Sequence, residues 1–320
     1  MDLEEPACPP GIPLVSAGSV FHSFVQKLVT DVRGTQLKTR MSDARMQLRG
    51  WISVLLLFVL GLYGCQSTPK TTFSMERPNR HSFATEHFVV QSDIRLEAND
   101  PLVLALQTIR EDLISVLQIP KQREPVKVYL FSDEVSYRYY MQATWRDLPP
   151  RRAYFVGTSR ELAVYSFVSP HVLEDLRHEF THGILHASLQ TVPLWLDEGI
   201  AEYFEVDAQV TERVSETHLQ ELSLAQTEGW NPGLYRLETI VDFRDLTQRD
   251  YAECWVWVHF MLNSTPESKD VLLKYIQTLQ STKTPRRLMD SFEKAVPSYM
   301  PDLQSHIQQL LGGAVTKVTE

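Results

Sequence analysis

The segment RHEFTHGILH, residues 177–186, sets three histidines four residues apart: His178, His182 and His186. On an α-helix such residues share one face and lie roughly 6 Å apart along the axis. Two imidazoles so placed converge on one metal ion at about 2.0–2.1 Å each. His178 and His186 are roughly 12 Å apart on the same helix, too far to share an ion. The pair His182/His186 is possible, but Gly183 would then stand where a carboxylate is needed. The pair His178/His182 has Glu179 in that place, spelling H-E-x-x-H, and its carboxylate can hold a water against the metal. His186 then reads as a bystander, packed or hydrogen-bonded on the helix face. The third ligand must come from elsewhere.

A second helix supplies it. In VPLWLDEGIAEYFE, residues 192–205, helical periodicity puts Glu198, Ala201, Glu202 and Glu205 on one stripe, with Trp195 and Leu196 as apolar leads. Fifteen residues separate His182 from Glu198, room for a loop that swings the second helix beside the first. Glu198 would complete a His₂Glu set that leaves a fourth position for water, the arrangement of catalytic Zn²⁺, one ion per chain. Glu202, one turn on, could accept the other ring N–H of a ligand histidine and fix its tautomer. Glu174 is a rival for that role, although a solvated helix-face charge is the simpler reading. His171, His218 and His259 read as structural or surface residues.

These residues resemble the gluzincin zinc metallopeptidases, most closely their peptidase-MA-like branch in bacterial exported proteins. HEFTH (178–182) and PLWLDEGIAEYFE (193–205) carry the likeness, with YAECWVWVHFML (251–262) more loosely. It extends over roughly 82–312, with specific motifs only from 178 to 205. It implies an α+β fold of the thermolysin-like kind: a mixed sheet, an active-site helix and a mainly helical C-terminal half. It implies peptide hydrolysis with Glu179 as general base. It also implies that Tyr251, heading a helix after the ligand helices, hydrogen-bonds the developing oxyanion; the alternative is a tyrosine that caps a buried helix. The glycine- and methionine-rich motif that binds a free substrate N-terminus is missing, which points to an endopeptidase.

The rest of the chain frames this site. Its 320 residues are 43% hydrophobic, enough for a sizeable core, and the net charge of −9 argues against nucleic acid as a partner. Three cysteines, Cys8, Cys65 and Cys254, make no disulfide framework. Cys65 follows the apolar block Trp51–Tyr63, which is too short to span a bilayer but right for a signal-peptide core, with Arg45 and Arg49 before it. LYGC (62–65) resembles a lipobox, so Cys65 is expected to be lipidated and to anchor the chain on the periplasmic side of the bacterial outer membrane. Residues 1–40 read as coil and as an extension ahead of the true start at Met41 or Met46.

The expected organisation is therefore an extension (1–40), a lipoprotein leader (41–64), a tether (65–81), a zinc-binding α/β subdomain (82–207), a helical subdomain (208–312) and a tail (313–320). Within the α/β part, strands are expected at 87–93 and 126–131 and a hairpin at 152–168. Helices are expected at 100–119, capped by Asp100, and at 132–144, capped by Ser132. ELAVYSFV (161–168) is expected at a sheet edge, where it could align an extended peptide. Cys254 reads as a small core residue. The function expected is a zinc peptidase acting on a peptide or protein; the alternative is a non-catalytic zinc-binding envelope lipoprotein serving as a scaffold.

Overall fold

The computed structural model describes residues 14–15 and 76–317. The leader, Cys65, the proposed start sites and most of the tether lie outside the described residues. From His81 on, the chain builds an α+β fold on a mixed sheet. Its strands are β2 (His81–Ala84), β3 (Phe88–Ser92), β4 (Val126–Phe131), β5 (Tyr154–Gly157) and β6 (Leu162–Phe167), with β1 (Leu14–Val15) at one edge. The order is β1-β5-β6-β4-β3-β2; β3, β4 and β6 run parallel, while β2 and β5 pair antiparallel with β3 and β6. Leu14 and Val15 pair antiparallel with Gly157 and Val156, within the segment expected to be coil.

The hairpin at β5–β6 forms as expected, but β6 does not lie at an edge. It sits between β5 and β4, and all six of its residues are buried. Val164 joins the core on one face, while Ala163, Tyr165 and Phe167 join the cluster on the other. A strand covered on both faces reads as an unbroken apolar run. LAVYSF is close to such a run, interrupted only by the buried Ser166, so its composition suits the centre of a sheet.

Helix α1 (Pro101–Leu117) starts where Asp100 accepts the Leu102 N–H, and buries Val103, Leu106, Ile109, Leu113 and Leu117 as one stripe. Helix α2 (Glu134–Thr144) is capped by Asp133, which accepts the Ser136 N–H; the Ser132 hydroxyl donates to Asp133 instead of capping. Asp133 wins because its carboxylate reaches the N3 position from a better-placed residue. Helix α3 (Val172–Ser188) carries the three histidines across the sheet and packs on β4, β5 and β6. A Cβ at Gly183 would come 2.7 Å from Val126 Cγ1, so the glycine lets α3 lie down on β4.

Helix α4 (Leu194–Glu205) follows, then α5 (Glu216–Thr227), the short α6 (Leu234–Leu237), α7 (Gln248–Asn263), α8 (Pro266–Leu279), α9 (Met289–Ala295) and α10 (Tyr299–Lys317). Helix α10 continues through Gly312 and Gly313, beyond the point where the tail was expected to begin. The helical half is as expected, yet the two halves share a core: one cluster of buried side chains runs from Phe88 to Leu310. At its centre α4 packs on α7. A Cβ at Gly199 would lie 2.5 Å from the Cys254 carbonyl oxygen and 2.8 Å from Val258 Cγ2, so these helices meet backbone to backbone. None of the described helices is long and apolar enough to cross a membrane.

Candidate metal centre

The crossing of α3 and α4 brings the sequence-predicted ligands together. His178, His182 and Glu198 are buried and offer donor atoms within 4.8 Å of one another. Glu198 Oε2 stands 3.7 Å from Nε2 of each histidine. Both Nε2 atoms are buried without a hydrogen-bond partner, a costly state for a polar atom unless something else binds there. The group can hold a metal ion.

Two carboxylates orient the imidazoles. His178 Nδ1 lies 2.8 Å from Glu205 Oε2, and His182 Nδ1 lies 2.9 Å from Asp197 Oδ1. At His178 this is a hydrogen bond and at His182 a close approach without hydrogen-bond geometry; a carboxylate at Nδ1 favours the tautomer whose Nε2 can bind a metal. Asp197 also reaches His186 Nε2 at 2.8 Å through its other oxygen. His186 is thus no ligand, but it is tied to the site through Asp197. Phe155 stacks against both rings, 6.1 Å from His182 and 5.2 Å from His186.

Glu202 departs from its expected role. Its carboxylate meets His218 Nε2 at 2.9 Å, a pair buried under α5, and the support of the ligand histidines falls to Asp197 and Glu205. Glu202 stays close, its carboxylate lying within 4.8 Å of donor atoms of His178 and Glu205, but the hydrogen bond at His178 Nδ1 is taken by Glu205 and that of Glu202 goes to His218. Glu174 pairs with Arg152 at 2.8 Å and takes no part.

Electrostatics favour a cation here. Burial opposes a charge on His178, but Glu198 and Glu205 outweigh it and push the imidazole well above the ordinary histidine range. His182 rises against burial in the same way, through Asp197 and Glu198. Burial would lift Asp197, yet His182 and His186 hold it well below the usual carboxylate range. A pocket that draws protons onto buried imidazoles draws a metal cation for the same reason, and the ion would displace those protons.

Glu179 is buried beside this group, and its Oε2 accepts the Phe155 N–H at 2.6 Å. Tyr251 lies in the first turn of α7, also buried; burial and the Glu198 carboxylate drive its hydroxyl far above the ordinary phenol range, while the neighbouring Arg151 pulls the other way. The hydroxyl is therefore a permanent proton donor near neutral pH. Burial likewise lifts the Cys254 thiol, as suits a core residue.

Asp197 and Glu205 are the residues that sequence reasoning passed over. The signal was present: Asp197 adjoins Glu198, and Glu205 lies on the ligand stripe. Asp197→Asn should weaken metal binding by about 10–100-fold, since the amide cannot serve both histidines as a charged acceptor. Competition with a fluorescent zinc chelator measures it; an unchanged affinity would make Asp197 a bystander.

A search of curated proteins finds no match to the chain. Over residues 175–286, which span every residue placed above from His178 to Tyr251, the chain matches the model of a family described as "Protein of unknown function (DUF1570)".

Proposed function

We propose that the chain is a zinc-dependent peptidase of the gluzincin kind. The observation that carries this reading is the convergence of His178 Nε2, His182 Nε2 and Glu198 with Glu179 alongside. Two imidazoles and one carboxylate are a donor set that suits zinc and leaves a coordination position for water. His178, His182 and Glu198 would hold the ion, which would supply a bound water with its pKa lowered toward ~7 and a Lewis acid for the substrate carbonyl.

The protein's own groups do the rest. Asp197 and Glu205 hold the imidazoles in place. Glu179 accepts a proton from the attacking water and returns it to the leaving amine, and the Phe155 N–H keeps its carboxylate aimed. Tyr251 donates a hydrogen bond to the developing oxyanion. The fold supports the thermolysin-like part of the reading through its mixed sheet, its motif helix and its helical second half. We also propose that Cys65 is lipidated and anchors the chain to the cell envelope, on the support of the apolar block and LYGC alone.

One observation favours the alternative, a metal-binding module without catalysis: Glu179 gives one carboxylate oxygen to a backbone amide, a structural use. Metal analysis together with a peptide-library digest separates the two. The peptidase reading expects one zinc per chain and cleavage abolished by chelation and restored by zinc. A chain that holds zinc and cleaves nothing across the library would hand the lead to the module.

A further inference from the structure

Between α2 and the loop 145–151 lies a cavity of about 240 Å³. That is smaller than the roughly 300–1,000 Å³ of sites for drug-sized ligands, and suits one residue of a peptide. Its lining has a single electrostatic character: Arg138, Arg146 and Arg151 contribute, and no aspartate or glutamate does. Arg138 is partly engaged, 2.6 Å from Glu134.

The uncharged polar groups point to the same ligand. Tyr137 and Trp145 both line the cavity, and the Tyr137 hydroxyl and the Trp145 Nε1–H are buried without a hydrogen-bond partner. Tyr137 itself is only 1% exposed. A buried donor without an acceptor is costly. An indole N–H can only donate, and so can the guanidinium groups. The indole N–H and the guanidinium groups therefore offer donors to an acceptor-rich anion, between aromatic walls.

Arg151 connects the cavity to the site. Its guanidinium carbon is 5.9 Å from the Tyr154 ring and 5.9 Å from the Phe243 ring, bridging the sheet side and the helical side. Stacking of this kind occupies the faces of a guanidinium, and carboxylates bind along its edge. Tyr154 directly precedes Phe155, whose N–H holds Glu179, and Arg151 also acts on Tyr251.

We propose that this cavity binds a carboxylate of a peptide ligand, with Arg151 as the principal anion-binding residue. The proposal rests on the peptidase reading for the peptide nature of its ligand. The carboxylate is an acidic side chain near the scissile bond or the peptide's own C-terminus, and the same chemistry serves both. Bound there, it draws the neighbouring peptide bond toward Glu179 and the histidines.

The test titrates acetylated hexapeptides into the full chain carrying Glu179→Gln, followed by calorimetry. One glutamate is walked through the peptide, each version is paired with its glutamine copy, and each is made as the C-terminal acid and as the amide. The expected result is that one carboxylate strengthens binding about 10–100-fold, the scale of a charge-assisted hydrogen bond. Whether that carboxylate is a side chain or the C-terminus identifies its source. Arg151→Met should erase the difference between acidic and neutral peptides, and Arg151→Lys should keep part of it. If Arg151→Met does not fold, the exposed Arg146→Gln should still shrink the difference severalfold. Equal binding of acidic and neutral peptides, a difference that survives these variants, or no peptide binding at all would overturn the proposal. Failure of the peptidase reading shows separately, as a wild-type chain that binds these peptides and cuts none.

Discussion

Glu179→Gln should leave one zinc per chain and an unchanged melting temperature, and cut peptide cleavage by about three orders of magnitude. The substitution keeps shape and volume and removes only the group that takes the proton. The structure makes glutamine the better choice over alanine. Glu179 Oε2 accepts the Phe155 N–H at 2.6 Å, and a glutamine oxygen can still do so. Alanine would strand that amide in a buried strand, at about 1–3 kcal/mol, and mix a stability loss into the rate. Cleavage of a quenched fluorescent peptide reads the rate, and elemental analysis reads the metal. Full activity in the variant would remove Glu179 from the mechanism, and loss of zinc would show it to be a ligand.

Glu198→Ala should empty the site. The carboxylate is the one anionic donor of the trio, and it faces Nε2 of both histidines at 3.7 Å. Without it two imidazoles remain, still oriented by Glu205 and Asp197 but with only two protein donors for an ion that wants three and a water. The loss should exceed the ~10–100-fold typical of a residue that supports a ligand. After dialysis against dilute chelator the variant should retain almost no zinc, whereas His186→Ala should retain nearly all of it, because His186 reaches the site only indirectly, through Asp197 and the Phe155 ring. Equal zinc content in the two variants would overturn the ligand assignment.

The core of the site was legible because it is local. Spacing alone puts His178, Glu179 and His182 on one helix turn, and a second acidic helix at workable distance completes the set. What spacing cannot provide is the rotation of one helix against another. The stripe on α4 carries Glu198, Glu202 and Glu205, and spacing singled out Glu198 as ligand and Glu202 as its support; the folded arrangement instead pairs Glu202 with His218 and Glu205 with His178. Asp197 lies off that stripe and reaches His182 and His186 because α3 crosses close beside it. Strand identities were legible as well, but the place of β6 in the sheet was not taken from its composition. Its two apolar faces match two separate clusters, the second of which takes in Tyr137, Tyr140 and Met141 of α2. Arg151 had no signal at all: its neighbours Tyr154 and Phe243 come from opposite halves of the chain.

The backbone contact at Gly199 has a thermodynamic side. It welds the helix that carries Glu198 to the helix that carries Tyr251, and α7 is in turn packed through Trp257 onto Phe292 of α9. An ion bound only by the folded chain would stabilise it by RT ln(1 + [L]/Kd), about 4.1 kcal/mol at a thousandfold excess over Kd. Coupling of this kind is reciprocal. Whatever holds α7 in register would therefore also set how tightly an ion is held there. Trp257 and Phe292 touch no ligand, yet loosening them would raise the cost of the one arrangement in which Glu198 meets both histidines. The hydrophobic core of the helical half would, in that sense, be part of a bound metal's binding constant.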